Sequence, residues 1–112
     1  GGAELNRGPA HLFSASADQL IKAWDLRTYD HAATLCGHQS FVTALAAQPE
    51  RHLLFSASSD KTCAVWHTVI FMRLRVLTGH SGGLYSLGVH RGRVCSGSLD
   101  ETIRLWPALC AR

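Results

Sequence analysis

Three residue types able to do chemistry recur together in this chain: serine, histidine and aspartate. Ser14 and Ser16 precede Asp18, Ser56 and Ser58 precede Asp60, and Ser96 and Ser98 precede Asp100. His38 and His80 lie upstream of the second and third sets. An aspartate that orients an imidazole, and an imidazole that takes a proton from a serine, would make a Ser-His-Asp hydrolase. Seven histidines and four cysteines suggest zinc as a second chemistry. However, Cys36-x-His38 and Cys63-x-x-x-His67 lack the paired spacing of a structural zinc site, so no metal is expected. No phosphate loop is present and no cofactor is expected.

Tryptophan decides against catalysis. Each set runs Ser-x-Ser-x-Asp, then five residues, then Trp24, Trp66 or Trp106. Asp and Trp keep step at spacings of 42 and 40 residues, and Gly37-His38 and Gly79-His80 also lie 42 apart. A fixed period near 40 marks a repeat array. A catalytic set is not usually copied once per repeat, so the expected catalytic set is empty. A structural network explains the pattern better. A buried Trp removes roughly 150–250 Å² from water, worth about 4–6 kcal/mol. Its indole N–H then needs an acceptor, which a serine on the preceding strand supplies. The serine relays to an imidazole, and the imidazole pairs a carboxylate that is costly to bury alone.

The elements that must position these groups are short strands. His11 to Ser16, Leu20 to Trp24 and His31 to Leu35 form one series, with a turn at Asp18-Gln19. Phe41 to Ala47, Leu53 to Ser58, Thr62 to Trp66 and Met72 to Leu77 form the next, and in the last of these Arg73 and Arg75 alternate with Leu74 and Val76. Leu84 to Val89, Val94 to Ser98 and Thr102 to Trp106 form a third. About ten short strands divided by turn signals, with no helical pattern, mean an all-β array.

Gly-His followed by the Ser-x-Ser-x-Asp and Trp signature, over residues 11–107, resembles the WD-repeat (β-transducin repeat) family. The resemblance implies a β-propeller segment of about two and a half to three four-stranded antiparallel blades. It implies a leader or truncated strand at 1–10, a partial repeat at 11–38, a complete repeat at 39–80, a partial repeat at 81–107 and a tail at 108–112. The implied bracing networks are His38, Ser56 or Ser58, Asp60 and Trp66, then His80, Ser96 or Ser98, Asp100 and Trp106. The first copy keeps Asp18, Trp24 and Ser14 or Ser16. Only Trp24-Asp25 is a literal Trp-Asp pair, since the other copies have Trp66-His67 and Trp106-Pro107.

Propellers typically use 4–8 blades, so this chain is expected to be a fragment of a longer protein or to complete itself by self-association. The resemblance implies a non-catalytic protein–protein interaction scaffold in a larger assembly. Partners would dock on Ser40, Phe41 and Ser59, and on Gly82, Gly83 and Leu99. A substrate-recognition module of a ubiquitin ligase or another regulatory adaptor is the alternative, and a Ser/His/Asp hydrolase is the alternative of another class. Net charge is +3, and the nine Arg and two Lys are scattered. Nucleic acid is therefore not expected, and Arg91, Arg93 and Arg104 are at most a rim contact. No apolar run reaches the roughly 18 residues that span a bilayer, so no membrane is expected. Cys63 and Cys95 sit in strand-like runs as small hydrophobes, which fits reduced thiols and an intracellular, cytoplasmic or nuclear, location.

Overall fold

The computed structural model describes residues 4–7 (backbone only), 11–15, 18–90 and 92–107. Ser16, Arg91, Cys110 and the 108–112 tail lie outside the described residues. Among the described residues, eleven strands form three antiparallel sheets. The first sheet holds β1 (Glu4–Arg7), β2 (His11–Ala15), β3 (Ile21–Asp25) and β4 (His31–Leu35) in sequential order. The second holds β5 (Val42–Gln48), β6 (Leu53–Ser58), β7 (Cys63–His67) and β8 (Met72–Leu77), also sequential. The third holds β9 (Leu84–His90), β10 (Arg93–Ser98) and β11 (Ile103–Pro107). Glu4–Arg7, within the stretch read from sequence as a leader or truncated strand, thus pairs with β2 as a ladder strand. Pro107 extends β11 by one residue, which a proline can do at a strand end.

The sheets stack face on face. Between the first and second, Phe13, Ile21, Ala23 and Leu35 meet Leu45, Leu54, Ala64 and Trp66. Between the second and third, Leu53, Phe55, Cys63 and Val65 meet Leu84, Val94 and the half-buried Trp106. The middle sheet is therefore covered on both sides. This is why β6 (Leu-Leu-Phe-Ser-Ala-Ser) shows no apolar-polar alternation although all six residues are buried. The third sheet has one covered face. On the other, Ile103 and Leu105 are exposed, whereas their counterparts Cys63 and Val65 are fully buried.

Turn geometry repeats with the same period. Gln19, Lys61 and Glu101, each just after the recurrent Asp, all hold positive φ near 71–78°. Tyr29 and Phe71 form a second matched pair, at φ 61° and 57°. These are left-handed positions held by non-glycine residues. Tight glycines mark two close approaches, Gly82 within the third sheet and Gly83 across the seam to the second. A Cβ on Gly82 would stand 2.7 Å from the Asp100 backbone nitrogen, and one on Gly83 would stand 3.1 Å from Ser59 Cα.

Candidate functional site

Strand register builds the network. Trp66 lies opposite Leu54 in the β6–β7 ladder, and Ser56, two residues along β6, shares that face. The Trp66 indole N–H donates to Ser56 Oγ at 2.8 Å. Ser56 Oγ lies 2.6 Å from His38 Nε2, and His38 Nδ1 lies 2.9 Å from Asp60 Oδ2. The third sheet repeats this: Trp106 to Ser96 at 3.0 Å, Ser96 to His80 at 2.9 Å, and His80 to Asp100 at 3.0 Å. In the first sheet Trp24 donates to Ser14 Oγ at 3.0 Å, and Asp18 Oδ1 accepts from Leu20 N at 3.2 Å.

The geometry separates the two serines of each pair. Ser56 and Ser96 join the relay. Ser58 and Ser98 instead donate to the backbone carbonyls of Ser40 and Gly82, at 3.3 and 2.9 Å, and accept the N–H of Asp60 and Asp100. They fasten the turn that carries the aspartate.

For a neutral imidazole, donor and acceptor chemistry sets the proton direction through the relay. Indole is a donor only and an ionised carboxylate an acceptor only. With His38 neutral, Ser56 passes its own hydrogen to Nε2, and Nδ1–H points to Asp60. Asp60 also accepts from Gln39 N and from Thr62 N and Oγ1. Burial pushes the Asp60 carboxyl up, but the hydrogen bonds from Thr62, Gln39 and His38 outweigh it, and the pKa falls below the usual range. For Asp100 the Thr102 hydroxyl leads, supported by Ser81 N and His80, and the carboxyl sits far below the usual range.

Asp60–His38–Ser56 has the connectivity of a hydrolase triad, yet it cannot attack a substrate. Ser56 and Ser96 are fully buried, and a tryptophan N–H occupies an oxygen lone pair of each. The sequence also carries a Gly-x-Ser-x-Gly pattern, Gly79-His80-Ser81-Gly82-Gly83. Ser81 is exposed, but it leads into strand β9 rather than the helix of a nucleophile elbow. Its neighbour His80 has both ring nitrogens engaged with Asp100 and Ser96, so no base is free for it. Among the described residues, no cluster of three His, Cys, Asp or Glu could hold a metal.

The departure at Trp66-His67 has a local reason. Asp25 Oδ1 accepts from Arg27 N at 2.7 Å, which holds that carboxyl below its usual range. His67 does the same work with Nδ1, accepting from Val69 N and Ile70 N at 3.1 and 3.3 Å. Imidazole replaces carboxylate as the acceptor that caps the turn.

The candidate docking residues form a row across the seam. Ser59 N donates to Phe41 O at 2.9 Å, Gly83 packs on Ser59, and Leu99 N donates to Gly83 O at 2.8 Å. Phe41 is 54% exposed and Leu99 is 74% exposed. Phe41 and Gly83 are repeat equivalents, as are Ser59 and Leu99 (spacings of 42 and 40). Two large apolar side chains therefore flank a floor of small ones. Ser40 is half-buried behind Phe41. The arginine rim does not assemble: β10–β11 register puts Arg104 on the Ser96 face and Arg93 on the opposite one, while Arg104 lies over the Trp106 ring. The described cysteines, Cys36, Cys63 and Cys95, are free thiols. No helix among the described residues is long and apolar enough to cross a membrane.

The family model for the WD domain, G-beta repeat, matches residues 30–67 and 71–107. Each interval takes the last strand of one sheet and the first three of the next, so the repeats are offset from the sheets and tie neighbours together. Among curated relatives, Protein tipD of Dictyostelium discoideum is 29% identical over 85% of this chain and 16% of its own length. Periodic tryptophan protein 2 homolog of Caenorhabditis elegans is 29% identical over 85% of this chain and 11% of its own length. Kinesin-like protein KIF21B of Mus musculus is 30% identical over 85% of this chain and 6% of its own length. The chain thus spans a small part of the curated relatives it matches.

Proposed function

The chain belongs to the WD domain, G-beta repeat family, and on that premise we propose that it serves as a non-catalytic protein–protein interaction scaffold within a larger intracellular assembly. The row Phe41–Ser59–Gly83–Leu99 carries this reading. Its two apolar side chains gain little by folding, since both stay largely exposed. An exposed aromatic on a rigid frame is a good anchor for a partner. Beneath it the relay from Trp66 to Asp60 and the turn serines hold the frame fixed, so a partner meets a preorganised surface. We assign the exposed Ile103 and Leu105 face to a further blade, because the equivalent Cys63 and Val65 face is covered by one.

Affinity capture from cells with the whole protein tests the reading. Phe41→Ala combined with Leu99→Asp should remove at least one captured protein while the melting curve stays in place. An unchanged set of captured proteins would reject the row as the docking surface.

A further inference from the structure

We propose that the outer edge of β8 takes up an extended segment of a protein partner, alternating acidic and apolar residues, as an added strand. Among the described residues β8 pairs with β7 alone, so its other edge offers main-chain N–H and C=O groups. Met72, Leu74 and Val76 along it are 57%, 42% and 38% exposed, and Val69 and Ile70 in the preceding turn are exposed too. The fold does not demand these side chains. At the equivalent positions of β4, His31, Ala32, Ala33 and Thr34 stand where β8 has Arg73, Leu74, Arg75 and Val76.

Charge selects the partner. Among the described residues, Arg73 and Arg75 form no salt bridge, and Arg75 Nη1 is buried without a hydrogen-bond partner. The Arg73 guanidinium lies over Gly37 beside Trp66, at a cleft of about 190 Å³ that Gln39, Asp60, Thr62 and Val76 help to line, the Asp60 carboxylate being already engaged by His38, Gln39 and Thr62. That space accepts a single side chain. Strand addition draws affinity from main-chain bonds and specificity from such pockets. A second copy of β8 fits poorly, because pairing would set arginine against arginine. This edge shares no residue with the Phe41–Leu99 row.

The test titrates the full chain with short synthetic peptides of alternating glutamate and valine, alternating lysine and valine, and the glutamate form with N-methylated backbone. The glutamate peptide should bind about tenfold tighter than the lysine peptide, slow hydrogen exchange at residues 72–77, and lose affinity on N-methylation. Arg75→Glu should reverse the charge preference. No binding, equal affinity for both charges, retained affinity after methylation or unchanged exchange at 72–77 would each overturn the proposal. So would a dimer by light scattering that protects β8 without peptide. If Arg75→Glu lowers the melting temperature, the exchange and methylation results on the unaltered chain decide.

Discussion

Ser56 Oγ receives the Trp66 indole N–H at 2.8 Å while lying 2.6 Å from His38 Nε2, so a single buried oxygen serves two neighbours. Removing it orphans both. Ser56→Ala should cost about 2–6 kcal/mol, since each unsatisfied buried group costs roughly 1–3 kcal/mol. Ser58→Ala should cost less, about 1 kcal/mol, because its two partners, Ser40 O and Asp60 N, lie in half-buried turns that water can reach. Trp66→Ala should cost about 3–5 kcal/mol through the lost ring. Denaturant unfolding of the three variants checks the order, and equal losses for Ser56→Ala and Ser58→Ala would refute the relay.

The carboxyls of Asp60 and Asp100 are both held below the usual value of 3.8. A group whose folded-state pKa is depressed stabilises the fold above its unfolded value of about 3.9. That contribution should be complete above about pH 4 and disappear as pH falls through the lowered folded values. The melting temperature should drop steeply below pH 4, and Asp60→Asn should flatten the drop. A variant with the same acid slope as the unaltered chain would contradict the assignment.

The repeat made the fold legible, because Asp, Trp and Gly-His keep one period and each unit needs the same satisfied network. The relay's membership was legible only to the level of a serine pair. Choosing Ser56 over Ser58 needs the register that sets Trp66 opposite Leu54, and one sequence does not show register. Glu4–Arg7 gave little sign of being a strand, since four residues carry no usable period and its pairing with β2 is tertiary. The exposed Leu99 was visible as an apolar residue in a turn. The seam that joins it to Phe41 was not, because it depends on how Gly83 packs on Ser59 across two sheets.

His67 should be replaceable by aspartate. His67→Asp keeps an acceptor for Val69 N and Ile70 N and should change stability by less than about 0.5 kcal/mol. His67→Ala removes the acceptor, with an expected loss of about 0.5–1.5 kcal/mol. Thermal melts of both variants at neutral pH suffice, and an alanine as stable as the aspartate would show that the turn needs no cap.

Burial raises the Cys63 thiol to about 12, so almost no thiolate is present near neutral pH. Cys36 is exposed. Brief iodoacetamide treatment of the native protein, followed by peptide mass mapping, should label Cys36 and spare Cys63. After denaturation both should react. Native labelling of Cys63 would mean that the packing between the second and third sheets opens readily.

Gly82 and Gly88 provide opposite tests of packing within the third sheet. A methyl on Gly82 would meet the Asp100 backbone nitrogen at 2.7 Å, and backbone cannot swing aside as a flexible side chain can. Gly82→Ala should therefore shift the Asp100 turn and cost about 1–3 kcal/mol. Gly88 in β9 has nothing within 4 Å of the added methyl. Gly88→Ala should be neutral or stabilise by about 0.5–1 kcal/mol, because alanine loses less chain entropy on folding. Unfolding free energies from denaturant titration of the two variants should move in opposite directions or differ by at least about 1 kcal/mol. Equal free energies would mean that the Gly82–Asp100 contact does not set the turn, and the frame beneath Leu99 would then be looser than its hydrogen bonds imply.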